Sequence, residues 1–162
     1  MDVYTTIESP LGELLLAGDG TALTRVSFDV TSARAGWRPE PLAFAEMERQ
    51  FLEYFAGERT SFELPFATRG TAFQERVWEE VAKVPYGRTI SYGALAARIG
   101  APADRVRAVG AAVGANPLPV VVPCHRVVGA DGGLTGYAGG LERKRELLTL
   151  EGVLQPRLWS TP

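Results

Sequence analysis

The only cysteine and the only histidine of this chain, Cys124 and His125, are neighbours in the segment VPCHRV. A lone cysteine is most often a small apolar side chain in a core, which is the simplest interpretation of Cys124. A reactive thiol instead requires cationic or hydrogen-bonding neighbours that favour its thiolate. Arg126 follows directly and could supply that charge, or could pair with an acid elsewhere. The flanking Pro, His and Arg favour a nucleophile, because a core position does not require them.

The adjacency of His125 and Cys124 disfavours a cysteine hydrolase. In such an enzyme the imidazole contacts the sulfur directly, takes its proton and later protonates the leaving group. Successive side chains of an extended backbone point to opposite sides, so His125 would reach Cys124 only through a water molecule. The chain has no second histidine that could replace it.

Glu151 could be the carboxylate that orients His125. It lies in the last turn of the helix predicted for LERKRELLTLEG, where it faces the negative end of the helix dipole. Exposed acids often occupy such positions, but a partnership with His125 would also explain it, since a carboxylate fixes which ring nitrogen carries the proton. The helix is predicted to bury three leucines: Leu141, Leu148 and either Leu147 or Leu150.

The glycine-dense segment GADGGLTGYAGG separates Cys124 from that helix and contains Tyr137. It lacks the Lys-Ser/Thr pair of a phosphate-binding loop and the spacing of a dinucleotide fingerprint, so no nucleotide cofactor is predicted. The segment could be a lid over a flat ligand, with Tyr137 as a wall, or a plain surface turn. Both interpretations stay open.

The composition is that of a folded protein, with 46% hydrophobic and 22% charged residues among 162. No apolar stretch approaches the roughly 18 residues of a membrane helix, and the acidic start lacks a signal-peptide layout. We therefore predict a cytoplasmic protein with no membrane partner. One cysteine and one histidine make neither an internal disulfide nor a closed zinc site, so no metal is predicted.

Charge divides the chain into two parts. Residues 1–68 hold five Lys/Arg and eleven Asp/Glu, a net charge of −6, whereas residues 69–162 hold twelve and eight, a net charge of +4. A basic half is a hint of a polyanionic partner. We place a domain boundary near Thr68 and treat residues 1–68 and 69–162 as two domains.

The first domain is predicted to be a small antiparallel sheet followed by a helix. Short apolar and β-branched runs alternate with Ser-Pro, Leu-Gly and Gly-Asp-Gly turns, which predicts hairpins. PLAFAEMERQFLEYFAG spaces its apolar residues by three and four and ends at Gly57, which predicts an amphipathic helix. Its inward side is Phe44, Met47, Phe51 and Tyr54 or Phe55. TSFELPFATRG is predicted as one more strand and a connection.

The second domain is predicted to be mostly helical. Thr71 and Gln74 match a capping box, which marks the start of a helix. Its buried stripe is Phe73, Val77, Val81 and Val84, with Trp78 beside it. A short helix from Ser91 to Gly100 and a second from near Pro102 to Asn116, joined by a tight turn, are a candidate helix-turn-helix. A helical hairpin with no role in DNA binding fits the same pattern.

The second of these helices, APADRVRAVGAAVGAN, is poor in large side chains. Val106, Val109 and Val113 form its inward stripe, and most of the remainder is glycine and alanine. Each of its two glycines costs about 1 kcal/mol relative to alanine, so a compensating role is expected. That role is either close packing against another helix or close approach of the backbone to a narrow groove, with Arg105 or Arg107 projecting from the helix start.

Three motifs, NPLPVVVPCHRVVG, GYAGG and LLTLEG, resemble those of the O6-alkylguanine-DNA alkyltransferases, the methylated-DNA–protein-cysteine methyltransferases. The resemblance continues upstream through FQERVWEEVAKVPYGRTISYGALA and RAVGAAVGANP, and so covers residues 71–152. The start SPLG is similar more loosely. The resemblance implies an α+β protein, with a ribonuclease-H-like amino-terminal domain and a winged-helix-like domain that bears the helix-turn-helix.

The resemblance also implies stoichiometric, irreversible repair of duplex DNA, without a cofactor. After base flipping, the Cys124 thiolate takes the alkyl group from guanine O6 as a thioether. His125 acts as base through a bridging water, Glu151 orients His125, and Asn116 belongs to a hinge that shapes the site. The protein is expected to be a monomer in solution, and cooperative binding along DNA is left open.

Further residues gain roles from the resemblance. Tyr92 assists rotation of the nucleotide and donates a proton toward the leaving guanine, while Arg107 fills the gap in the duplex. The DNA-binding set is Tyr92, Arg107, Arg126, Ala108, Gly110, Ala111 and Gly114. The pocket set is Tyr137, Val127, Val128 and Ala138. Ala138 stands where some relatives have a serine, and residues 1–68 lack the Cys and His that bind zinc in some others.

An alternative from the same resemblance is a lesion sensor that flips damaged bases without repairing them. Relatives of that type have tryptophan in place of the cysteine, so Cys124 argues against it.

Overall fold

The computed structural model describes residues 2–155. The amino-terminal half contains a four-stranded sheet of order β3-β2-β1-β4, formed by β1 (Val3–Ile7), β2 (Leu14–Gly18), β3 (Leu23–Ser27) and β4 (Arg38–Pro39). The first three strands pair antiparallel, as predicted, whereas the short β4 is parallel to β1. The predicted sheet is therefore antiparallel except at this edge.

Turn chemistry explains the two hairpins. Between β1 and β2, the Gly12 amide donates to the Ser9 carbonyl at 3.0 Å, and Gly12 has a φ of +102° that favours glycine. Between β2 and β3, Asp19 Oδ1 accepts from the amides of Thr21 and Ala22, both at 2.8 Å. All five residues of β2 are buried, so the central strand anchors the core.

Helix α1 (Ala45–Phe55) buries Phe44, Met47, Phe51 and Tyr54, as its spacing predicts. The strand predicted for TSFELPFATRG is wrong. Only an isolated bridge joins Phe66 to Leu23, with the Leu23 amide donating to the Pro65 carbonyl and the Ala67 amide to the Leu23 carbonyl, both at 2.9 Å. Pro65 has no amide hydrogen, which limits how far this segment can continue the ladder.

The carboxy-terminal half is built from helices α2 (Ala72–Ala82), α3 (Tyr92–Arg98), α4 (Val106–Gly114) and α5 (Leu141–Leu150), with a parallel pair β5 (Ile90–Ser91) and β6 (Val127–Val128). The predicted capping box is present: the Gln74 amide donates to Thr71 Oγ1 at 3.1 Å and the Thr71 amide to Gln74 Oε1 at 2.9 Å. Ser91 caps α3, since its Oγ accepts from the Ala94 amide at 3.0 Å.

The predicted buried sides of α2 and α5 both need correction. Trp78 belongs to the core instead of flanking it, because its Nε1 donates to the Ala112 carbonyl at 2.8 Å and ties α2 to α4, while Phe73 is only partly buried. Leu141 is half exposed, and Leu147 and Leu148 are the buried leucines of α5. The inward face of α5 continues in both directions with charged residues, Lys144 and Glu151.

The two halves share one continuous apolar core. The Val26 amide of β3 donates to the Pro117 carbonyl at 2.9 Å, just after α4. Phe28 packs against the Tyr137 ring, with 6.1 Å between centroids, and a Cβ on Gly139 would lie only 2.6 Å from the Phe28 ring. The amino-terminal half therefore supports the segment around Tyr137. Within residues 2–155, no helix is long and apolar enough to span a membrane.

Candidate active site

A cavity of about 290 Å³ opens beside α3 and α4, and Cys124 lines it. Its walls come from the start of α3, the glycine-bearing side of α4 and the segment after Thr135. The lining residues are Tyr92, Gly110, Val113, Gly114, Cys124, Gly136, Tyr137 and Ala138. The volume is close to the lower limit of the ~300–1,000 Å³ that is typical of small-molecule sites. Cys124 is only 4% exposed, so a ligand reaches the sulfur through this cavity.

The backbone around Cys124 differs from the extended conformation assumed from the sequence. Residues Cys124–Arg126 form a 3₁₀ turn, with the Arg126 amide donating to the Pro123 carbonyl at 3.0 Å. His125 is completely buried, and its Nε2 donates to Glu151 Oε2 at 2.8 Å. Its Nδ1 is buried and has no hydrogen-bond partner among residues 2–155. The predicted pairing of His125 with Glu151 is therefore present in the structure.

The Glu151 carboxylate is a shared acceptor for donors from three parts of the chain. Oε2 accepts from His125 Nε2, from Arg126 Nη2 at 2.9 Å and from Tyr54 Oη at 2.5 Å. Oε1 accepts from Arg126 Nε at 2.8 Å and from the Gly87 amide at 3.3 Å. A buried carboxylate is tolerated only when it is paired and hydrogen-bonded in this way.

Arg126 lies elsewhere than predicted. Its guanidinium pairs with Glu151 and donates to the Val84 carbonyl at 2.7 Å, and the residue is 7% exposed. The assignment of Arg126 to the DNA-binding surface is therefore wrong, because the side chain serves as the buried counter-charge of Glu151. Of the two possibilities left open by the sequence, pairing with an acid is the one observed.

Burial and hydrogen bonding determine the protonation of Glu151 and His125. Burial by itself would raise the pKa of Glu151, but hydrogen bonds from His125 and Arg126 outweigh it and lower that pKa from 4.5 to about 2. Burial lowers the pKa of His125, against the opposing effect of Glu151. Glu151 is thus ionised and His125 neutral at pH 7, with the proton on Nε2 and a lone pair on Nδ1.

Burial raises the pKa of the Cys124 thiol to about 11, even though a hydrogen bond from Asn116 and the charge of Lys144 act in the opposite direction. The resting sulfur is therefore protonated at neutral pH. A base is therefore needed to generate the thiolate.

We predict that alkylation of Cys124 by iodoacetamide, in protein without DNA, rises about tenfold per pH unit between about pH 7 and pH 9, because only the thiolate reacts. Intact-mass spectrometry at timed intervals measures the rate. The urea-unfolded chain is the control, since its thiol titrates near the ordinary value of 9.0. A folded-state rate that is already at its plateau at pH 7 would contradict a protonated resting thiol.

Asn116 shapes the segment that carries Cys124. Its Oδ1 accepts from the Leu118 amide at 2.9 Å and its Nδ2 donates to the Val122 carbonyl at 2.8 Å, so one side chain closes the loop after α4. Inside this loop Val120 has a φ of +77°. A β-branched residue there costs about 1–3 kcal/mol and needs surrounding structure to hold it. Asn116 supplies part of that structure.

Lys144 is a site residue that the sequence interpretation missed. It is completely buried on α5, and its Nζ donates to the carbonyls of Val127 at 2.6 Å, Thr135 at 2.7 Å and Gly136 at 3.2 Å. Burial lowers its pKa to about 8, although the nearby Cys124 favours the charged form. Lys144 thus holds the glycine-dense segment against the pocket and places a positive charge near the sulfur.

The glycine-dense segment lines the cavity, which favours the lid interpretation over a plain surface turn. Gly136, Tyr137 and Ala138 all contribute to the wall, and Tyr92 Oη donates to the Thr135 carbonyl at 3.3 Å. Val127 and Val128, which we predicted as pocket residues, pair with β5 and are absent from the lining. The Val127 carbonyl accepts from Lys144 Nζ at 2.6 Å.

The side of α4 that carries small residues faces outward. Arg107, Ala111 and Gly114 are exposed, whereas Ala108 and Gly110 are partly exposed and the buried side contains Val109 and Val113. A Cβ on Gly114 would have no neighbour within 4 Å, and one on Gly110 would only touch the Tyr92 ring at 3.8 Å. Packing within the protein therefore does not require these glycines, which favours the alternative of close approach to an external groove.

Among residues 2–155, no cluster of three or more His, Cys, Asp or Glu side chains could hold a metal ion.

Two family models match this chain. The family model for the 6-O-methylguanine DNA methyltransferase DNA binding domain matches residues 72–153, and the one for the ribonuclease-like domain of the same proteins matches residues 3–68. The fold is thus that of the 6-O-methylguanine DNA methyltransferase class, with a ribonuclease-like domain and a DNA binding domain.

Individual relatives support the same conclusion. The chain is 51% identical over 156 residues to the methylated-DNA–protein-cysteine methyltransferase of Mycobacterium tuberculosis, with 94% of each chain covered. It is 44% identical over 162 residues to the constitutive enzyme of that name from Bacillus subtilis, covering 94% of this chain and 97% of that one. The crystal structure of Mycobacterium tuberculosis OGT in complex with DNA superimposes with a TM-score of 0.87, at 52% identity and 92% coverage of both chains. This chain belongs to the methylated-DNA–protein-cysteine methyltransferase family, which confirms the resemblance of its motifs.

Proposed function

We propose that this protein repairs O6-alkylguanine in duplex DNA by a single irreversible transfer of the alkyl group to Cys124. The observation that carries the proposal is the position of the sulfur, at the wall of a base-sized cavity and directly before a buried His125–Glu151 pair. The relatives named for methylated DNA and for a protein cysteine support the substrate and the acceptor.

The transfer is a displacement at the alkyl carbon. The sulfur lone pair forms the S–C bond, the C–O6 bond breaks, and its electron pair stays on guanine O6. The thiol proton leaves before or during attack, and the guanine anion takes up one proton. We propose that Nδ1 of His125 receives the thiol proton through a bridging water, which its buried and unpartnered position supports. The Tyr92 hydroxyl, at the cavity wall, is the proposed proton donor to the leaving base.

Delivery of the base uses the outward side of α4. Its small residues Ala108, Gly110, Ala111 and Gly114 let the backbone approach a narrow groove, and exposed Arg107 is placed to fill the gap that a flipped base leaves. The crystallised complex of a relative with DNA supports duplex DNA as the partner. Alkylated guanine pairs poorly, which lowers the cost of extruding it.

In this proposal, residues 69–162 carry DNA binding and chemistry, and residues 1–68 support them; residues 156–162 lie outside the described structure. We propose a cytoplasmic protein that acts as a monomer, with Val127 and Val128 behind the pocket instead of in it. Once the thioether has formed, the chain has no second thiol that could help to regenerate the free Cys124 thiol, since Cys124 is the only cysteine.

The stoichiometry of repair tests the proposal. Increasing amounts of duplex containing O6-methylguanine are incubated with a fixed amount of protein, and restored guanine is counted by chromatography of the digested DNA. We expect a plateau at one guanine per protein molecule. Restored guanine well above one equivalent would indicate a true catalyst, and tight binding of the modified duplex with no restored guanine would indicate a sensor; either result overturns the proposal.

A further inference from the structure

We infer that Tyr54, contributed by α1 of the amino-terminal half, is a positioning residue for the transfer, because its hydroxyl holds the Glu151 carboxylate that orients His125. The inference rests on the proposed function and deepens it. It assigns the amino-terminal half a direct connection to the chemistry, beyond support of the fold.

The geometry of the contact is that of a strong hydrogen bond. Tyr54 is 1% exposed, and its Oη donates to Glu151 Oε2 at 2.5 Å, in the range of a charge-assisted O–H···O⁻ bond. The same Oε2 accepts from Nε2 of His125 at 2.8 Å. Tyr54 and His125 are therefore joined through one oxygen atom, although 97 residues separate Tyr54 from Glu151.

The ring of Tyr54 is held in place by neighbouring aromatic rings. It packs at 5.4 Å from both Phe55 and Phe62, in the amino-terminal half, and edge-on to Tyr86 at 6.1 Å. A rigid aromatic side chain with two torsions loses little entropy when it makes one more bond. The amino-terminal core thus presents the hydroxyl at a set position, and the carboxylate is held against it.

The hydroxyl also controls how strongly Glu151 favours the imidazolium form of His125. Burial and the charge of Glu151 raise the pKa of Tyr54, so the phenol remains a donor across the working pH range. By sharing the negative charge of Oε2, this donor weakens the attraction of Oε2 for a proton on His125. Without it, His125 binds a proton more readily and is less available as a neutral base near pH 7.

Tyr54→Phe tests the inference, with Tyr86→Phe as the matched control. Tyr86 lies in the same cluster, but its hydroxyl donates to the Leu150 carbonyl at 3.3 Å and not to the carboxylate. We expect Tyr54→Phe to lower the single-turnover rate about tenfold at pH 7, less than the ~10²–10⁴-fold contribution of a general base, because His125 stays in place but is more often protonated. The acid limb of its pH–rate profile should move to higher pH, whereas Tyr86→Phe should keep the wild-type limb.

A spectroscopic titration separates this inference from the proposed function. The His125 ring, followed by NMR in protein without DNA, should titrate at higher pH in Tyr54→Phe than in wild type, whether or not methyl transfer occurs. If wild type transfers no methyl, the proposed function fails, and the titration still decides on Tyr54. An unchanged His125 titration, or equal effects of the two variants on the acid limb, would overturn the inference.

A second variant guards against a Tyr54→Phe protein that does not fold. A genetically encoded fluorotyrosine at position 54 keeps the ring and makes the hydroxyl a stronger donor. The acid limb should then move to lower pH, opposite to the effect of removing the hydroxyl. A shift to higher pH, or none, would contradict the inference.

Discussion

Cys124→Ser will leave the protein folded and able to bind the modified duplex, but unable to accept a methyl group. Serine is slightly smaller than cysteine, and its hydroxyl holds its proton far more tightly than a thiol, so the same cavity remains but the nucleophile is lost. We expect the transfer rate to fall on the order of 10⁴-fold or more, the scale observed when an enzyme loses its nucleophile. Single-turnover assays with O6-methylguanine duplex measure it.

The control for this variant is binding. Affinity for the modified duplex should stay within a few-fold of wild type, because the side of α4 that faces outward is unchanged. Measurable transfer by Cys124→Ser would show that another residue accepts the alkyl group. A lost thermal transition would instead show that the substitution disrupts the core, and Cys124→Ala would then replace it in the same assay.

Glu151→Gln will impair both the reaction and the fold. Glutamine keeps the shape of the side chain but removes its charge, so buried Arg126 loses its counter-ion and His125 loses the charged acceptor that fixes its proton on Nε2. Breaking one partner of a buried ion pair costs about 3–5 kcal/mol. Loss of the oriented base should lower the transfer rate about 10²- to 10⁴-fold. Urea denaturation and single-turnover kinetics measure the two effects.

The matched control is Glu146→Gln, which neutralises an exposed acid on the same helix and should change neither quantity appreciably. The pH dependence supplies a further check. Since the folded-state pKa of Glu151 lies at about 2, below its ordinary 4.5, its contribution to stability is complete above pH 4.5 and is lost as the pH falls toward 2. Glu151→Gln should lack that part of the acid dependence, and an acid dependence equal to wild type would contradict the assigned role.

The parts of the fold that the sequence predicts are those set by local chemistry. Thr71 and Ser91 cap helices as their types and positions predict, and the apolar spacing of α1 places Phe51 and Tyr54 inside. The association of Cys124 with His125 could be proposed because each is the only residue of its type in the chain and the two are adjacent. Glu151 could be added because it lies in the motif LLTLEG, which resembles the family. The parallel pairing of β4 with β1 could not be predicted, since β4 has only two residues and lies far from β1 in the sequence.

The parts that could not be predicted are those where a charged or polar residue occupies a position that hydrophobicity assigns to the core. The inward side of α5 is Lys144, Leu147, Leu148 and Glu151, a regular helical spacing in which half of the members are charged. A buried stripe assigned to α5 from its leucines alone includes Leu141, which is half exposed in the structure. Tyr54 has the spacing of an ordinary core aromatic, and only the three-dimensional contact with Glu151 shows its hydroxyl in use.

The mass of the protein after one reaction tests the central claim most directly. Wild-type protein is incubated with a slight excess of O6-methylguanine duplex, separated from DNA, and measured intact and after proteolysis. We predict that nearly every molecule exchanges one hydrogen for one methyl group, that the added mass lies on the peptide containing Cys124, and that restored guanine matches it in amount. Restored guanine with an unchanged protein mass, or a methyl group on any other peptide, would contradict the account.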